Sequence, residues 1–358
     1  MSGRAGKTLR VLLLVTGVLT VVVLAFGVYI VRYEVPENEV LIHAGITEKT
    51  TVVGEVSFNY VEGPTNGPAL LLLHAQTLDW HSYRKVLPDL GSRFHVFAVT
   101  YPGHGKTTVP DDYPMTAERI GTDLATFIET IIGEPVYATG NSAGGLLAVW
   151  LAANRPDLIR AIALEDPPLF SSEYPEVRRT VSYKLFRKAH EALRDPGFDG
   201  DFLDYWVQHG KEFFSTYTGP LSQYLLRLLV SLYRALNPGK PLELPFLPVT
   251  VQEMLRGLDR YDARFGASFY TGEWNRGFDH AEALQRITCP VLLIHANFDY
   301  LEDDTLNGAM TQEQAEHAVS LLGHGADVRY ERVDSAHVVH LERPGLFVRM
   351  IEDFFLMP

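Results

Sequence analysis

The sequence predicts an α/β fold, a mostly parallel sheet covered by helices on both faces. Short continuous apolar runs, such as PALLLLHA (68–75) and PVLLIHA (290–296), have the composition of strands buried on both sides. Longer stretches with apolar residues at helical spacing lie between such runs, and that alternation is the mark of a parallel sheet. A third observation locates chemistry on this frame: the pattern Gly140-x-Ser142-x-Gly144 falls where one apolar run meets one helical stretch.

The N-terminus comes first in the chain. Val11 to Ile30 is a twenty-residue run without a charge, long enough to span a bilayer as a helix. It continues into VRYEVPENEV with no small-x-small cleavage site, so an uncleaved anchor is expected in preference to a cleaved signal peptide. Arg4, Lys7 and Arg10 precede the run, whereas Glu34, Glu37 and Glu39 follow it. This asymmetry orients the N-terminus inside and the body outside the cell membrane. The expected organisation is a cytoplasmic N-terminus (1–10), a transmembrane anchor (11–30) and a linker (31–38). An α/β core follows in two parts, 39–168 and 284–358, split by a helical insertion at 169–283.

From residue 39, EVLIHAGI and GEVSFNYVEG are expected to be two opening strands, and PALLLLHA a third. HVFAVTY (95–101), PVYATGN (135–141), IRAIALED (159–166), PVLLIHA (290–296) and ADVRYERVD (326–334) follow. MTAERIGTDLATFIETIIG is read as a helix with a Thr N-cap and a closing Gly; AGGLLAVWLAANRPDL is another, stopped at Pro156. The alternation lapses between 169 and 283, a stretch rich in aromatics with helical periods, among them PLSQYLLRLLVSLYRALNPG. It resumes with a helix near 311–322 and a last helix, PGLFVRMIEDFFL.

Composition narrows the function. The chain has 358 residues, 46% hydrophobic and 21% charged, as a globular protein does. Its net charge is −13, and beyond the N-terminal run the balance is 28 Lys+Arg against 44 Asp+Glu. A body that acidic is a poor partner for phosphate backbones, so no nucleic acid is expected. The single cysteine, Cys289, rules out an internal disulfide and reads as a small buried hydrophobe. The histidines include no His-Glu-x-x-His or comparable spacing, so neither metal nor cofactor is expected.

Ser142 carries the reactive reading. A strand turning directly into a helix strains the residue at the apex and brings backbones close, which flanking glycines permit. The apex side chain then stands above the sheet beside free helix N–H groups that favour developing negative charge. A serine hydroxyl needs a base, and the base needs an orienting acid. Asp299 ends the 290–296 strand region, and His337 follows the last strand, on loops at the carboxyl edge of the sheet. His340 competes for the base; Asp303 and Asp304 compete for the acid.

Five stretches, LLLLHAQT, VTYPGHGKT, TGNSAGG, LLIHANFD and SAHVVHLERP, together resemble the α/β-hydrolase fold serine hydrolases in the family's order. The resemblance implies an eight-stranded, mostly parallel sheet with a helical cap domain roofing the site. It implies Ser142 as nucleophile, His337 as general base and then acid, and Asp299 as the orienting carboxylate, with Asp166, after the 159–166 strand, as the family's alternative acid position. The oxyanion hole would use the backbone N–H groups of Gln76 and Ala143. His74-Ala75 stands where the family usually has His-Gly, and Ala296 where it usually has Gly; His74 and His104 are read as loop-organising hydrogen bonders. The function implied is a membrane-anchored hydrolase of carboxylic esters or related acyl compounds, with a small, lipophilic acyl substrate. GNSAGG is also similar to the GNSMGG of C–C bond hydrolases of ring-cleavage products. Amidase or haloperoxidase chemistry, and a non-catalytic tethered binding protein, stay open. The cap aromatics are either cap core or the lining of a lipophilic pocket, and Leu221 to Leu236 is a candidate for lying against the membrane. Oligomeric state is not legible.

Overall fold

The structure is a computed structural model that describes residues 32–211, 219, 221–322 and 326–356, with scattered positions between 14 and 29. The proposed anchor, Val11 to Ile30, therefore lies only in part within the described residues. Among the described residues, no helix is long and apolar enough to cross a membrane.

Ten strands are named in chain order: β1 Thr47–Val53, β2 Val56–Glu62, β3 Ala69–Leu73, β4 His95–Thr100, β5 Val136–Asn141, β6 Ile159–Glu165, β7 Val291–His295, β8 Asp299–Tyr300, β9 Leu306–Asn307 and β10 Val328–Arg332. The main sheet has the order β1-β2-β4-β3-β5-β6-β7-β10. β2 runs antiparallel to both β1 and β4, and every pairing from β4 through β10 is parallel. β8 and β9 form a separate two-stranded antiparallel ribbon.

The helices are α1 Glu37–His43, α2 Leu87–Gly91, α3 Ala117–Phe127, α4 Ala143–Asn154, α5 Ser182–Ala192, α6 Phe202–His209, α7 Ser222–Leu236, α8 Val249–Leu258, α9 Ala263–Thr271, α10 His280–Arg286, α11 Gln312–Leu322, α12 Val339–Glu342 and α13 Pro344–Leu356. Thr116 caps α3 by accepting a hydrogen bond from the Arg119 N–H, as its position before the periodic run predicts. α3 continues as one π-helical turn, Ile128–Ile132, and closes at Gly133.

The sheet separates two apolar clusters because successive strand residues point to opposite faces. Leu71 and Leu73 of β3 pack with Phe97, Leu124 and Leu147 on one side. Leu70 and Leu72 pack with Tyr83, Leu90, Phe347 and Ile351 on the other. All four β3 leucines are fully buried, each stabilising the fold by roughly 1.5–3 kcal/mol relative to exposure. This is why so uniform an apolar run reads as a central strand.

One element is corrected. EVLIHAGI is not the opening strand: Glu37–His43 is helical, buries Leu41, and has Glu37 and Glu39 in its first turn. The opening strand is the next stretch, TEKTTVV, at the sheet edge and mostly exposed. An edge strand with one solvated face needs few apolar residues, so its sequence lacks the signal of its buried neighbours. Between β6 and β7 the chain runs through α5 to α10. There α5 packs on α9, with Phe186 and Phe269 stacked at 4.9 Å.

Candidate active site

β5 ends at Asn141, and α4 begins at Ala143, so the whole turn is one residue. Ser142 has φ 55° and ψ −121°, a conformation that costs a non-glycine residue of order 1–3 kcal/mol. Its N–H donates to the Glu165 carbonyl (2.9 Å), and its carbonyl accepts from Gly145 N–H (2.8 Å). The flanking glycines are steric necessities. A Cβ on Gly140 would stand 2.2 Å from the Gly144 carbonyl oxygen, and one on Gly144 would stand 2.2 Å from that of Leu73.

His337 lies on the loop after β10, with its side chain 37% exposed toward a cavity of about 550 Å³. Ser142, Ala143, Gln76 and His337 all line that cavity, so the structure brings these four sequence-expected residues together. Gln76 follows β3, next to Thr77, which holds a positive φ of 64°. Its side-chain amide donates to the Tyr261 hydroxyl (2.9 Å). The side chain is thereby engaged with the segment between α8 and α9, while the backbone remains the candidate oxyanion donor.

Asp299 is not the partner of His337, and this expectation is corrected. His337 Nδ1 pairs instead with Asp166 Oδ2 at 2.6 Å. Asp166 follows β6 directly and is 1% exposed. Its N–H donates to the Ile294 carbonyl (2.8 Å), and its other carboxylate oxygen accepts from Ala296 N–H (3.1 Å). Asp299 also lines the cavity but lies in β8, exposed, and its carboxylate accepts from the Asn307 amide (2.7 Å). The physical reason is local: β7 stops at His295, and the following turn enters the β8–β9 ribbon, which carries Asp299 away from the histidine. Asp303 and Asp304 lie further along this excursion, between β8 and β9.

Burial alone would lower the His337 pKa, but the hydrogen bond and charge of Asp166, with Glu165 behind it, raise it above the ordinary histidine value. Nδ1 is occupied by Asp166, so in the neutral ring Nδ1 carries the proton and Nε2 is the free base.

A second histidine–carboxylate pair lies beneath the first, and sequence reasoning missed its acid. His340 Nδ1 is 2.7 Å from Glu165 Oε2, and the His340 N–H donates to Glu165 Oε1 (2.9 Å). Both side chains are fully buried, with His340 stacked on Tyr83 at 4.0 Å. This excludes His340 from the cavity and makes it the clamp that holds the His337 loop on β6. Asn141 is a second clamp: its amide donates to the Glu165 and His337 carbonyls, both at 3.0 Å. The run Glu165-Asp166 at the end of β6 was the available signal, two adjacent acids where a strand leaves the sheet.

His74 and His104 are buried at the base of the site, at ring centroids 4.9 Å apart. His74 Nδ1 is 2.8 Å from the Ala75 carbonyl, and the ring stacks on Tyr101. Burial pushes its pKa down to about 4 and that of His104 well below the usual value, so both stay neutral and organise loops. Among the described residues, no group of three or more His, Cys, Asp or Glu is placed to hold a metal ion.

The cavity wall is mixed in character. Val177, Val181, Phe186, Phe269 and Phe298 form its apolar part; Ser171, Ser182, Asn297 and Asn307 form the polar part. Phe186 and Phe269 thus line the pocket, whereas Phe202 and Trp206 are buried core. Phe213, Phe214 and Tyr217 lie outside the described residues.

Comparison with known proteins agrees with this geometry. The family model described as alpha/beta hydrolase fold matches residues 68–344. A 105-residue stretch is 33% identical to the magnesium-chelatase 30 kDa subunit of Rhodobacter capsulatus, covering 29% of this chain and 37% of that protein. The chain thus spans only about a third of that relative's length. A 234-residue stretch is 26% identical to the pimeloyl-[acyl-carrier protein] methyl ester esterase of Neisseria meningitidis serogroup C, covering 64% and 74% of the two chains. Among solved structures, a putative lipase from Acinetobacter baumannii superposes with a TM-score of 0.60 at 21% identity, over 91% of this chain and 97% of that one. The family match spans most of the chain, including the Ser142 turn, Asp166 and the His337 loop: the chain is a hydrolase-fold protein and belongs to the α/β-hydrolase family.

Proposed function

We propose that the protein is a serine hydrolase of carboxylic esters or related acyl compounds, working through Ser142, His337 and Asp166. One observation carries the reading: the strained Ser142 turn and an Asp166-paired histidine open onto a single cavity. Ser142 Oγ attacks the acyl carbon while His337 Nε2 takes its proton, and Asp166 stabilises the imidazolium. The backbone N–H groups of Ala143 and Gln76 receive the oxyanion. His337 then protonates the departing alcohol, leaving an acyl-enzyme. Water adds to the acyl carbon, gives its proton to His337, and the acid leaves as Ser142 recovers its hydrogen. A cavity of this size, lined by apolar side chains together with hydroxyls and amides, suits an acyl chain with a polar leaving group.

With Asn141 engaged as a clamp between loops, the resemblance to C–C hydrolases at that position has a scaffold explanation, and the ester reading is preferred. The proposal includes anchoring by Val11 to Ile30, N-terminus inside, with the hydrolase domain on the extracytoplasmic side of the cell membrane. Fluorophosphonate labelling of the wild type, absent in Ser142→Ala, tests the nucleophile. A folded wild type that stays unlabelled would favour the non-catalytic binding reading instead. A C-terminal reporter active only in the cytoplasm should be silent; a strong signal would overturn the orientation.

A further inference from the structure

α7 has two apolar faces, and the described residues cover only one. Val230 and Tyr233 are buried on the inner side. Arg234 fixes the helix there, reaching Asp201 at 2.6 Å and Asp259 at 2.5 Å. The outer side carries Leu221, Tyr224, Leu225, Leu228, Leu232 and Leu236, spaced at 3, 1, 3, 4 and 4 residues, which aligns them in one stripe along the helix. All six are exposed, Leu221 to 79%, Tyr224 to 72% and Leu228 to 63%. A helix docked by two ion pairs, with an outward leucine stripe, marks that face as an interaction surface.

Where the chain enters the body identifies the occupant. Tyr33, Glu34 and Asn38, which follow closely on the apolar run Val11 to Ile30, line one recess with Tyr233, Lys240 and Pro241. The C-terminal end of α7 thus meets the point at which the run joins the domain. The helix carries two basic residues, exposed Arg227 among them, and no acidic one, whereas the protein as a whole carries a charge of −13. Exposed leucines on a basic helix without a carboxylate match an anionic lipid interface. We infer that the outer face of α7 is a second membrane contact, lying in the lipid interface beside the anchor and seating the cap on the bilayer. The inference rests on the anchored-hydrolase reading for its geometry, yet it makes a separate claim about α7.

The full-length protein in a Cys289→Ser background, labelled with an environment-sensitive fluorophore at Leu228→Cys, tests it. The protein is reconstituted in vesicles of phosphatidylethanolamine and phosphatidylglycerol, with Asp353→Cys on α13 as the control. Emission from position 228 should shift to the blue and be quenched by lipids carrying a nitroxide near the headgroup, while position 353 reports water. Leu225→Ser/Leu228→Ser/Leu232→Ser should lower turnover of a long-chain ester dispersed in the same vesicles by about tenfold or more, with turnover of a short soluble ester unchanged. A water-like signal at 228 in protein that resists alkaline extraction from the membrane overturns the inference and leaves the anchor intact. A dry signal that needs no lipid and grows with protein concentration overturns it in favour of a second copy. A lipid-quenched signal in protein that alkali does extract upholds the α7 contact and removes the anchor.

Discussion

Replacing Asp166 by Asn is the perturbation that separates the two candidate acids. Asp166 Oδ2 is 2.6 Å from His337 Nδ1, and the carboxylate is 1% exposed and held on its far side by Ala296 N–H. When His337 takes the serine proton, the resulting charge pair sits about 4 Å apart between charge centres. At an effective dielectric near 20, that pair interacts by about 4 kcal/mol. At 1.36 kcal/mol per decade, its loss slows the chemical step by about a thousandfold. An Asn that presents its N–H to Nδ1 also forces the unproductive tautomer, carrying the loss toward about ten-thousandfold. Asp299→Asn keeps the hydrogen bond to Asn307 as an amide contact and touches the cavity only from its wall, so kcat stays within about threefold. The assay is steady-state hydrolysis of p-nitrophenyl esters of rising chain length, with circular dichroism to establish folding. A folded Asp166→Asn enzyme at wild-type rate, beside a collapsed Asp299→Asn, would refute the assignment drawn from the geometry.

The pH dependence follows from the same pair. His337 must be neutral to accept the serine proton, so kcat/KM falls as pH drops through its free-enzyme pKa, which Asp166 raises above the ordinary value. Asp166→Asn should move the residual acidic limb to lower pH, and a limb that stays in place would assign it to another group. Gln76→Ala removes only the contact to Tyr261, so kcat should fall less than about fivefold; a hundredfold loss would make the side chain the oxyanion donor. Gly144→Ala places a Cβ 2.2 Å from the Leu73 carbonyl oxygen and should cost about 1–3 kcal/mol or more in chemical denaturation, or prevent folding. His340→Ala removes the imidazole partner of the buried Glu165 carboxylate, leaving the backbone N–H of position 340, and should cost about 3 kcal/mol, measured in the same way; a variant as stable as wild type would contradict the clamp.

Much of this protein was legible in order of chain. Continuous apolar runs marked β3 to β7 because a strand buried on both faces has to be apolar at every position. The helix after Ser142 and the Thr116 cap were legible because both are set by neighbours within a few residues. That Ser142 and His337 would share one cavity was legible because each follows a strand whose end is marked in the sequence. β1 was misplaced because an edge strand is stabilised by its ladder and not by its side chains, leaving TEKTTVV without an apolar signature.

The choice between Asp166 and Asp299 lay beyond the sequence altogether. Both acids stand near strand ends, at the carboxyl edge of the sheet, in an order compatible with a triad. The decision came from the β8–β9 ribbon, whose pairing carries Asp299 aside. It came also from the packing of β6 against β7, which buries Asp166 under His337. The stripe on α7 has the same character. Its periodicity is written in the sequence, but a leucine row on a helix is ordinarily core. Only the tertiary packing, in which Val230 and Tyr233 already fill the inner face, turned the row outward. Local sequence determines which elements form and which groups they carry; which of two equivalent groups meet, and which apolar face is left over, depends on contacts between residues far apart in the chain.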